Sequence, residues 1–545
     1  MKKISLLLWT NFLVNYSILS QSTFSDIVSI FQAKCTYGCH SGPVPSGSLD
    51  LSGTPADVYA AIYKMNPSNL SARGEGMKLI SPGNPLKSFL LKKINNHLEP
   101  NFELNAYQGA PMPKDAPPLS NEEIELVRQW IQWGAKDTGV IFNQHLIQEY
   151  YRNGGKARIN PPSPPAFGQG LQIHFGPFFL APRQETELFK KHPLDLPDDI
   201  QVYRMEVWMN TQSHHFILWK FYDNVPITYF PDGVRDLYSF PNVLSANSVF
   251  GWQYSDDIVL PQGTAYFWNQ NTVLDLDYHI FNYPPDSILA AEVFINIYYY
   301  PKGTVRKEMI SLGEIHEAST WRVPADGEYH TYSGDIYITD PAREDEEWDI
   351  WLLSSHTHKY GVDFDIYMRN PDGTRGEQVY EGFYDTEYQF DQGYYNFAHP
   401  PIRRLISPLR VKAKDGLIYE ATFRNTGSED AYFGPTTKDE MLVAYYQYTL
   451  ADKSTAVPEI KAEGDFITSP NPFRESFTVA FVLNQNSLVN LEVFNILGEK
   501  VRDVTTAILA EGPHTFSVNH LPAGIYKVRL TVDGNTSSRT VVSIK

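Results

Sequence analysis

Ser354-Ser355-His356-Thr357-His358 follows directly on the apolar run Trp351-Leu352-Leu353. The run reads as a strand, and side chains along a strand alternate between faces, so His356 and His358 point the same way. Two imidazoles on one face of a rigid strand are a ready pair of metal ligands. A third ligand and an open position would make the centre catalytic rather than structural. What the chain supplies around this pair decides both its fold and its chemistry.

Outward from the pair, residues 166–455 read as strands: aromatic and β-branched runs separated at short intervals by Gly, Pro, Asn and Asp. The length suits two successive antiparallel sandwiches of roughly 140 residues each, 166–305 and 306–455. In the first, Ser213-His214-His215-Phe216 opens an apolar strand, and Asp275-Leu276-Asp277-Tyr278-His279 ends another. Adjacent histidines on a regular strand face opposite sides, so His214 and His215 reach one metal only where the strand bulges or ends. Two half-buried, satisfied histidines are the alternative. In the second, the His356/His358 pair is followed by Asp439-Glu440-Met441-Leu442. Met441 by itself is core packing. Beside two imidazoles its soft sulfur would favour Cu(I) over zinc.

The ordered motifs SHHFILW, DYHIFNY, HTH and TTKDEMLVAYYQY resemble the copper type II, ascorbate-dependent monooxygenases, the family of the peptidylglycine α-hydroxylating and dopamine β-hydroxylating enzymes. The resemblance implies two jelly-roll domains, each holding one mononuclear copper across a solvent cleft. It assigns His214, His215 and His279 to the electron-transfer copper, and His356, His358 and Met441 to the copper that meets O2. Tyr445 matches a substrate-side tyrosine of the peptide enzyme, and a core aromatic is the alternative. Two departures stand out. The segment has no cysteine, whereas the animal enzymes carry several disulfides. Ser354 stands where the peptide enzyme has the arginine that grips a substrate carboxylate, and a hydroxyl does not replace that planar cation. Arg403, Arg404 and Arg410 are other sources of positive charge. His174, His316, His330 and His399 lack partnered ligand motifs and read as structural or surface residues.

Residues 22–140 carry a different chemistry. Cys35-Thr36-Tyr37-Gly38-Cys39-His40 places two thiols directly before a histidine, the pattern of c-type haem attachment, although the usual spacing has two residues between the thiols. The alternative is a local disulfide or free thiols. Ala110-Pro111-Met112-Pro113 holds a methionine between prolines, suited to be a second axial ligand. Ser88 to Ile94 reads as an apolar helix. Ser120-Asn121-Glu122-Glu123 reads as the capping box of another helix that stops near Gly134. The whole segment resembles small all-α cytochrome c domains fused to secreted enzymes. The resemblance implies covalent haem on Cys35 and Cys39, with His40 and Met112 on the iron. Residues 141–165, rich in Gly and Pro, read as a linker.

After a polar break, residues 465–545 read as a small β-sandwich. PNPF, VFNILGEKV, LPAGIYKVRL and VVSIK resemble the C-terminal sorting domain of the type IX secretion system; an accessory adhesion sandwich is the alternative. Residues 1–20, with Lys2-Lys3 before a short, polar-broken apolar run, read as a secretory signal. No stretch is long and apolar enough for a transmembrane anchor.

A net charge of −18 excludes nucleic acid as a natural partner, since phosphate binding needs a basic face. The expectation is a secreted protein with two coppers and one c-type haem that hydroxylates a small-molecule or peptide substrate with O2. Electrons would come from ascorbate or an external donor, relayed by the haem. The alternative is a non-catalytic secreted copper- and haem-binding or electron-transfer protein.

Overall fold

The computed structural model describes residues 22–100, 102–154, 158–166, 168–236, 245–316, 321–383, 402–434, 439–451, 466–495 and 498–544. The signal reading at 1–20 and His399 lie outside them. The chain forms two compact units, Met1–Gly155 with Pro231–Val234, and Lys156–Phe230 with Arg235–Lys545.

The first unit is helical. Its helices are α1 (Thr23–Cys35), α2 (Pro55–Ile62), α3 (Leu70–Gly74), α4 (Phe89–Ile94), α5 (Asn121–Gln132) and α6 (Gln144–Arg152). The capping box at Ser120 is present: its hydroxyl takes the Glu123 N–H, and the Glu123 carboxylate takes the Ser120 N–H at 2.8 Å. Such a cap is worth about 1 kcal/mol. The buried indole of Trp130 on α5 stacks on Phe24 of α1 at 4.9 Å, which ties the two helices around one apolar core. Helix α6 corrects the linker reading. Residues 144–152 are helical, capped by Asn143, and bury Leu146, Ile147 and Tyr150. Apolar residues at i, i+1 and i+4 are the helical signal that the neighbouring Gly and Pro obscured.

The second unit is β throughout its described residues, apart from short 3₁₀ turns. Its first sandwich runs β1 (Gly170–Leu180), β2 (Glu185–Pro193), β3 (Ile200–Met209), β4 (Ser213–Phe221), β5 (Arg235–Asp236), β6 (Ala246–Trp252), β7 (Asp256–Val259), β8 (Thr264–Trp268), β9 (Val273–Phe281), β10 (Leu289–Pro301) and β11 (Lys307–Glu308). One sheet has the order β1-β10-β3-β8-β11, with β7 also on β3; the other has β5-β2-β9-β4-β6. Because β11 still pairs with β8, this sandwich ends a few residues beyond the expected 305.

The second sandwich contains β12 (Ile310–Ile315), β13 (Arg322–Val323), β14 (Tyr329–Ile336), β15 (Glu347–Thr357), β16 (Gly361–Arg369), β17 (Arg375–Phe383), β18 (Arg403–Lys412), β19 (Leu417–Arg424), β20 (Ala431–Tyr432) and β21 (Leu442–Leu450). Its sheets are β12-β21-β15-β18 and β14-β19-β16-β17, with β13-β20 as a small pair. Set aside the short strands β5, β7, β11, β13 and β20, and number the rest of each sandwich along the chain. Both sandwiches then show the same orders, 1-8-3-6 in one sheet and 2-7-4-5 in the other. The core between the second pair of sheets holds Trp348, Ile350, Leu353, Phe364, Tyr380 and Phe423 among others.

A third sandwich closes the chain: β22 (Phe466–Ser469), β23 (Ser476–Leu483), β24 (Ser487–Asn495), β25 (Lys500–Leu509), β26 (Gly512–Asn519), β27 (Gly524–Val532) and β28 (Asn535–Ser543). Its sheets are β22-β23-β26 and β25-β24-β27-β28. No helix among the described residues is long and apolar enough to cross a membrane.

Candidate metal centre

His214 and His215 open β4, and the ladder is irregular there. Ser213 pairs with Ile280 and His215 with His279, so His214 is an extra residue without a partner position on β9. This is the bulge that two adjacent histidines need in order to turn toward one point. The imidazole centroids of His214, His215 and His279 lie 4.8–5.1 Å apart. On the second sandwich, His356 lies in the last turn-ward pairs of β15 and His358 just beyond its end. Their rings are 5.1 Å apart, as alternation along a strand requires.

The two sets do not face each other across an open cleft, which corrects that expectation. The His214 ring lies 5.9 Å from His356 and 5.7 Å from His358, and His215 lies 6.0 Å from His356. Nitrogens of His214, His356 and His358 come within 4.8 Å of one another, as do those of His214, His215 and His279, so His214 belongs to both groups. The reason is the way the sandwiches pack. The Tyr445 hydroxyl on β21 donates to Val249 O on β6 at 2.7 Å, and Gln447 donates to the Tyr266 hydroxyl at 2.8 Å. Arg404 pairs with Asp256 at 2.7 Å.

Burial sets the protonation state of His214, His215 and His356. His214, His215, His279 and His358 are buried, and His356 is half-buried. Burial, followed by mutual repulsion with His279, holds His214 and His215 well below the ordinary imidazole range, and burial brings His356 down to about 4. Neutral imidazoles are the form that binds metal. The Nδ1 atoms of His215 and His279 are buried with no hydrogen-bond partner. Such atoms cost about 1–3 kcal/mol each unless something takes them up, and a metal ion fits.

The opposite nitrogens of those two rings face acids on β2. His279 Nε2 is 2.9 Å from Glu185 Oε1, and His215 Nε2 is 4.0 Å from Glu187 Oε1. Glu187 abuts Asp277, whose Oδ2 takes the Trp219 indole N–H at 2.9 Å. Burial, then Asp277, pushes Glu187 well above the carboxylate range, and burial brings Asp277 up to about 7. Sequence reading missed these acids. Their signal is the period of two in Glu185-Thr186-Glu187 and Asp275-Leu276-Asp277-Tyr278-His279, which puts the carboxylates on the face that carries His279.

The second half is held by backbone. His358 Nδ1 lies 3.2 Å from Asp439 O, so the nitrogen it offers the cluster is Nε2. The fully buried Glu440 accepts the backbone N–H of His358, of Tyr360 at 2.8 Å and of Met441 at 2.9 Å. Burial pushes its carboxyl up to about 8 although those donors pull the other way. Leu442 pairs with Thr357, which brings Met441, the preceding residue, level with His358. Gln253 lies 3.5 Å from His356 Nδ1, long for a hydrogen bond.

Other residues singled out from the sequence have different partners. Tyr445 is engaged in the contact between the sandwiches through its hydroxyl. Arg404 and Arg410 are paired with Asp256 and Asp349, and Arg403 lies over the Tyr380 ring. His174, His316 and His330 bond Glu292, the Tyr419 hydroxyl and Asp326.

In the helical unit, Cys35 ends α1 and Cys39 is exposed, both as thiols. The extra residue between them is absorbed in a turn closed by Cys39 N–H to Thr36 O, with Gly38 at φ +69°. A turn with positive φ at its third residue favours glycine there. His40 Nδ1 lies 3.1 Å from Leu49 O, which orients the ring as a metal-bound histidine is oriented. Cys35 and Met112 pack against the same apolar core. Burial, then Cys39 and Glu123, pushes the Cys35 thiol up to about 11. Two thiols, an imidazole and a thioether are the kinds of group that hold a c-type haem. Met65 is exposed and Met77 is buried in a small separate cluster.

Among solved structures, the chain is similar to the major capsid protein P2 from bacteriophage PM2, at 8% identity and a TM-score of 0.22, covering 52% of this chain and 99% of that one. It is also similar to β-1,2-glucanase from Parabacteroides distasonis (10% identity, TM-score 0.14, 46% and 35% covered). A third likeness is β-glucuronidase 3 from Bacteroides uniformis (12% identity, TM-score 0.13, 40% and 27% covered). Scores this low carry no argument about fold or chemistry. No protein of curated function matches the chain. The family model described as the secretion system C-terminal sorting domain matches residues 469–545. The third sandwich is therefore a type IX secretion sorting domain, and the protein is exported, to the medium or to the cell surface.

Proposed function

We propose that the protein is a secreted dicopper monooxygenase that uses O2 to hydroxylate a C–H bond of a small organic or peptide substrate. The observation that carries this reading is the convergence of five imidazoles, from two separate sandwiches, on one buried locus. The repeated strand orders support reading each sandwich as a jelly roll. His214, His215 and His279 would hold one copper through nitrogens that include Nδ1 of His215 and His279. His356, His358 and Met441 would hold the other. Copper bound there supplies one-electron transfer and activation of O2. The chain's own part is to keep His214, His215 and His356 neutral by burial, to aim His279 and His358 by contacts at their far nitrogens, and to limit the access of bulk water. Cys35, Cys39, His40 and Met112 would hold a covalent haem that passes single electrons from ascorbate or an external donor.

One observation favours a second reading, a non-catalytic copper- and haem-binding or electron-transfer protein. Four of the five rings are buried, and two of the three arginines that could meet a substrate are already paired, Arg404 at 2.7 Å from Asp256 and Arg410 at 2.6 Å from Asp349.

Elemental analysis and a haem stain of denatured, natively secreted protein test the composition, with two coppers and one covalent haem expected. Substrate-dependent O2 uptake, abolished by His356→Ala, is the expected mark of the enzyme. Full metal content with no uptake on any C–H substrate tried would favour the second reading. Absence of copper would sink both.

A further inference from the structure

We infer that Glu185 is a positioning residue for the first histidine set: it holds His279 with Nε2 turned to β2 and Nδ1 turned to the metal and places negative charge behind that ring, while the Glu187 carboxyl stands behind His215 on the same strand face. The inference rests on reading the cluster as a copper centre.

The geometry begins with the register of β2 on β9. Glu187 pairs with His279, and Glu185 with Phe281. Glu185 and Glu187 are two apart on one strand, so both carboxylates lie on the face that carries His279. Glu185 Oε1 lies 2.9 Å from His279 Nε2. A carboxylate accepts, so the proton of a neutral His279 sits on Nε2, and the lone pair is left on Nδ1. That Nδ1 is buried with no hydrogen-bond partner. His215 repeats the arrangement more loosely: Nε2 is 4.0 Å from Glu187, and Nδ1 is likewise without a partner. Glu187 is itself braced by Asp277, and Asp277 by the Trp219 indole at 2.9 Å.

The rings of the second set meet groups of another kind. His358 Nδ1 meets a neutral backbone carbonyl at 3.2 Å, and His356 Nδ1 meets the Gln253 side chain at 3.5 Å. Glu440, beside His358, takes backbone N–H groups. A carboxylate on the far nitrogen raises the basicity of a ligating imidazole and fixes its tautomer, and losing such a partner typically costs 10–100-fold in metal affinity. A more basic, more anionic ligand set favours the higher oxidation state. Glu185 should therefore favour Cu(II) over Cu(I) at the first centre. That preference suits a site that gives its electron away.

The test uses the full-length protein loaded with copper, comparing wild type with Glu185→Gln and Glu185→Ala. Copper is measured by competition with a chelator, by the Cu(II) electron paramagnetic resonance spectrum, and by a reductive titration. Glutamine keeps an acceptor oxygen in place and removes the charge. Glu185→Gln should leave the copper count at two, shift the spectrum of one centre and move its reduction to higher potential, with the other centre unchanged. Glu185→Ala should weaken one copper by 10–100-fold. Wild type that takes up no copper overturns the copper centre, and the inference with it. Wild type with two coppers, and variants matching it in affinity, spectrum and potential, overturn only the role of Glu185.

Discussion

His279 is held at its far nitrogen by a carboxylate at 2.9 Å, whereas His358 is held by a backbone carbonyl at 3.2 Å. The two halves of one histidine cluster thus fix their rings by different means. The first half uses side-chain carboxyls borne on the neighbouring strand β2, of which Glu185 bonds the His279 ring directly. The second half uses the chain itself: Asp439 O on the ring and Glu440 on the backbone of His358, Tyr360 and Met441. An acid on the ring tunes the ligand. An acid on the backbone sets where the ligand is, and here it sets His358 and Met441 together.

The largest effect should come from removing the backbone clamp. Glu440→Ala strips an acceptor from three buried or half-buried N–H groups, each costing about 1–3 kcal/mol when left unmade. The expected loss of stability is about 3–5 kcal/mol, in the range of broken buried networks. Urea unfolding would read the stability, and copper analysis should show one ion lost and one kept. Loss of both ions, or of neither, would break the distinction between a tuned half and a placed half.

A metal-free version of the carboxylate–imidazole pair sharpens the comparison. His174 Nε2 lies 2.8 Å from Glu292 Oε2, and Arg158 binds the same carboxylate. Burial works to raise this carboxyl, but the His174 and Arg158 hydrogen bonds outweigh it and hold it down at about 2. The folded value lies below the unfolded one of about 4.5, so its contribution is complete above pH ~4.5 and is lost as the pH falls from there toward 2. The size is on the order of 3 kcal/mol. Urea unfolding over pH 2–6 should show Glu292→Gln flattening that part of the curve. A variant with the wild-type slope would mean that a carboxylate behind a histidine does not carry net stability in this fold.

What could be read from the sequence follows from how local each signal is. The bulge at His214-His215 was a geometric necessity once both were taken as ligands, and the ladder has it. The helix cap at Ser120 and the β character of the described residues between 166 and 455 rest on period and turn chemistry, which are also local. Residues 144–152 were hidden by flanking Gly and Pro. The acids Glu185, Glu187 and Glu440 were unreadable for a different reason. Glu185 is 94 residues from the histidine it bonds, and Glu440 is 82 residues from His358. Only strand order brings them together. The closeness of the two histidine sets depends on how two sandwiches pack, which no period in either one encodes.

Tyr445 carries the smallest expected effect and the finest distinction. The resemblance puts it beside the substrate, while its hydroxyl donates to Val249 O at 2.7 Å and receives the Gln447 amide at 3.2 Å. Phe250 meets its ring edge-on at 5.8 Å. Tyr445→Phe keeps the ring contact and removes the bond between the sandwiches. The expected cost is about 1 kcal/mol, the net worth of one such hydrogen bond. If the residue fastens the two sandwiches, copper affinity should fall slightly at both centres, because the approach of the two histidine sets depends on that packing, and KM should not move. If it belongs to the substrate side, KM should rise while copper binding and urea stability stay as they were. Measuring all three on one variant separates a residue that holds the halves of the cluster together from one that serves a single half.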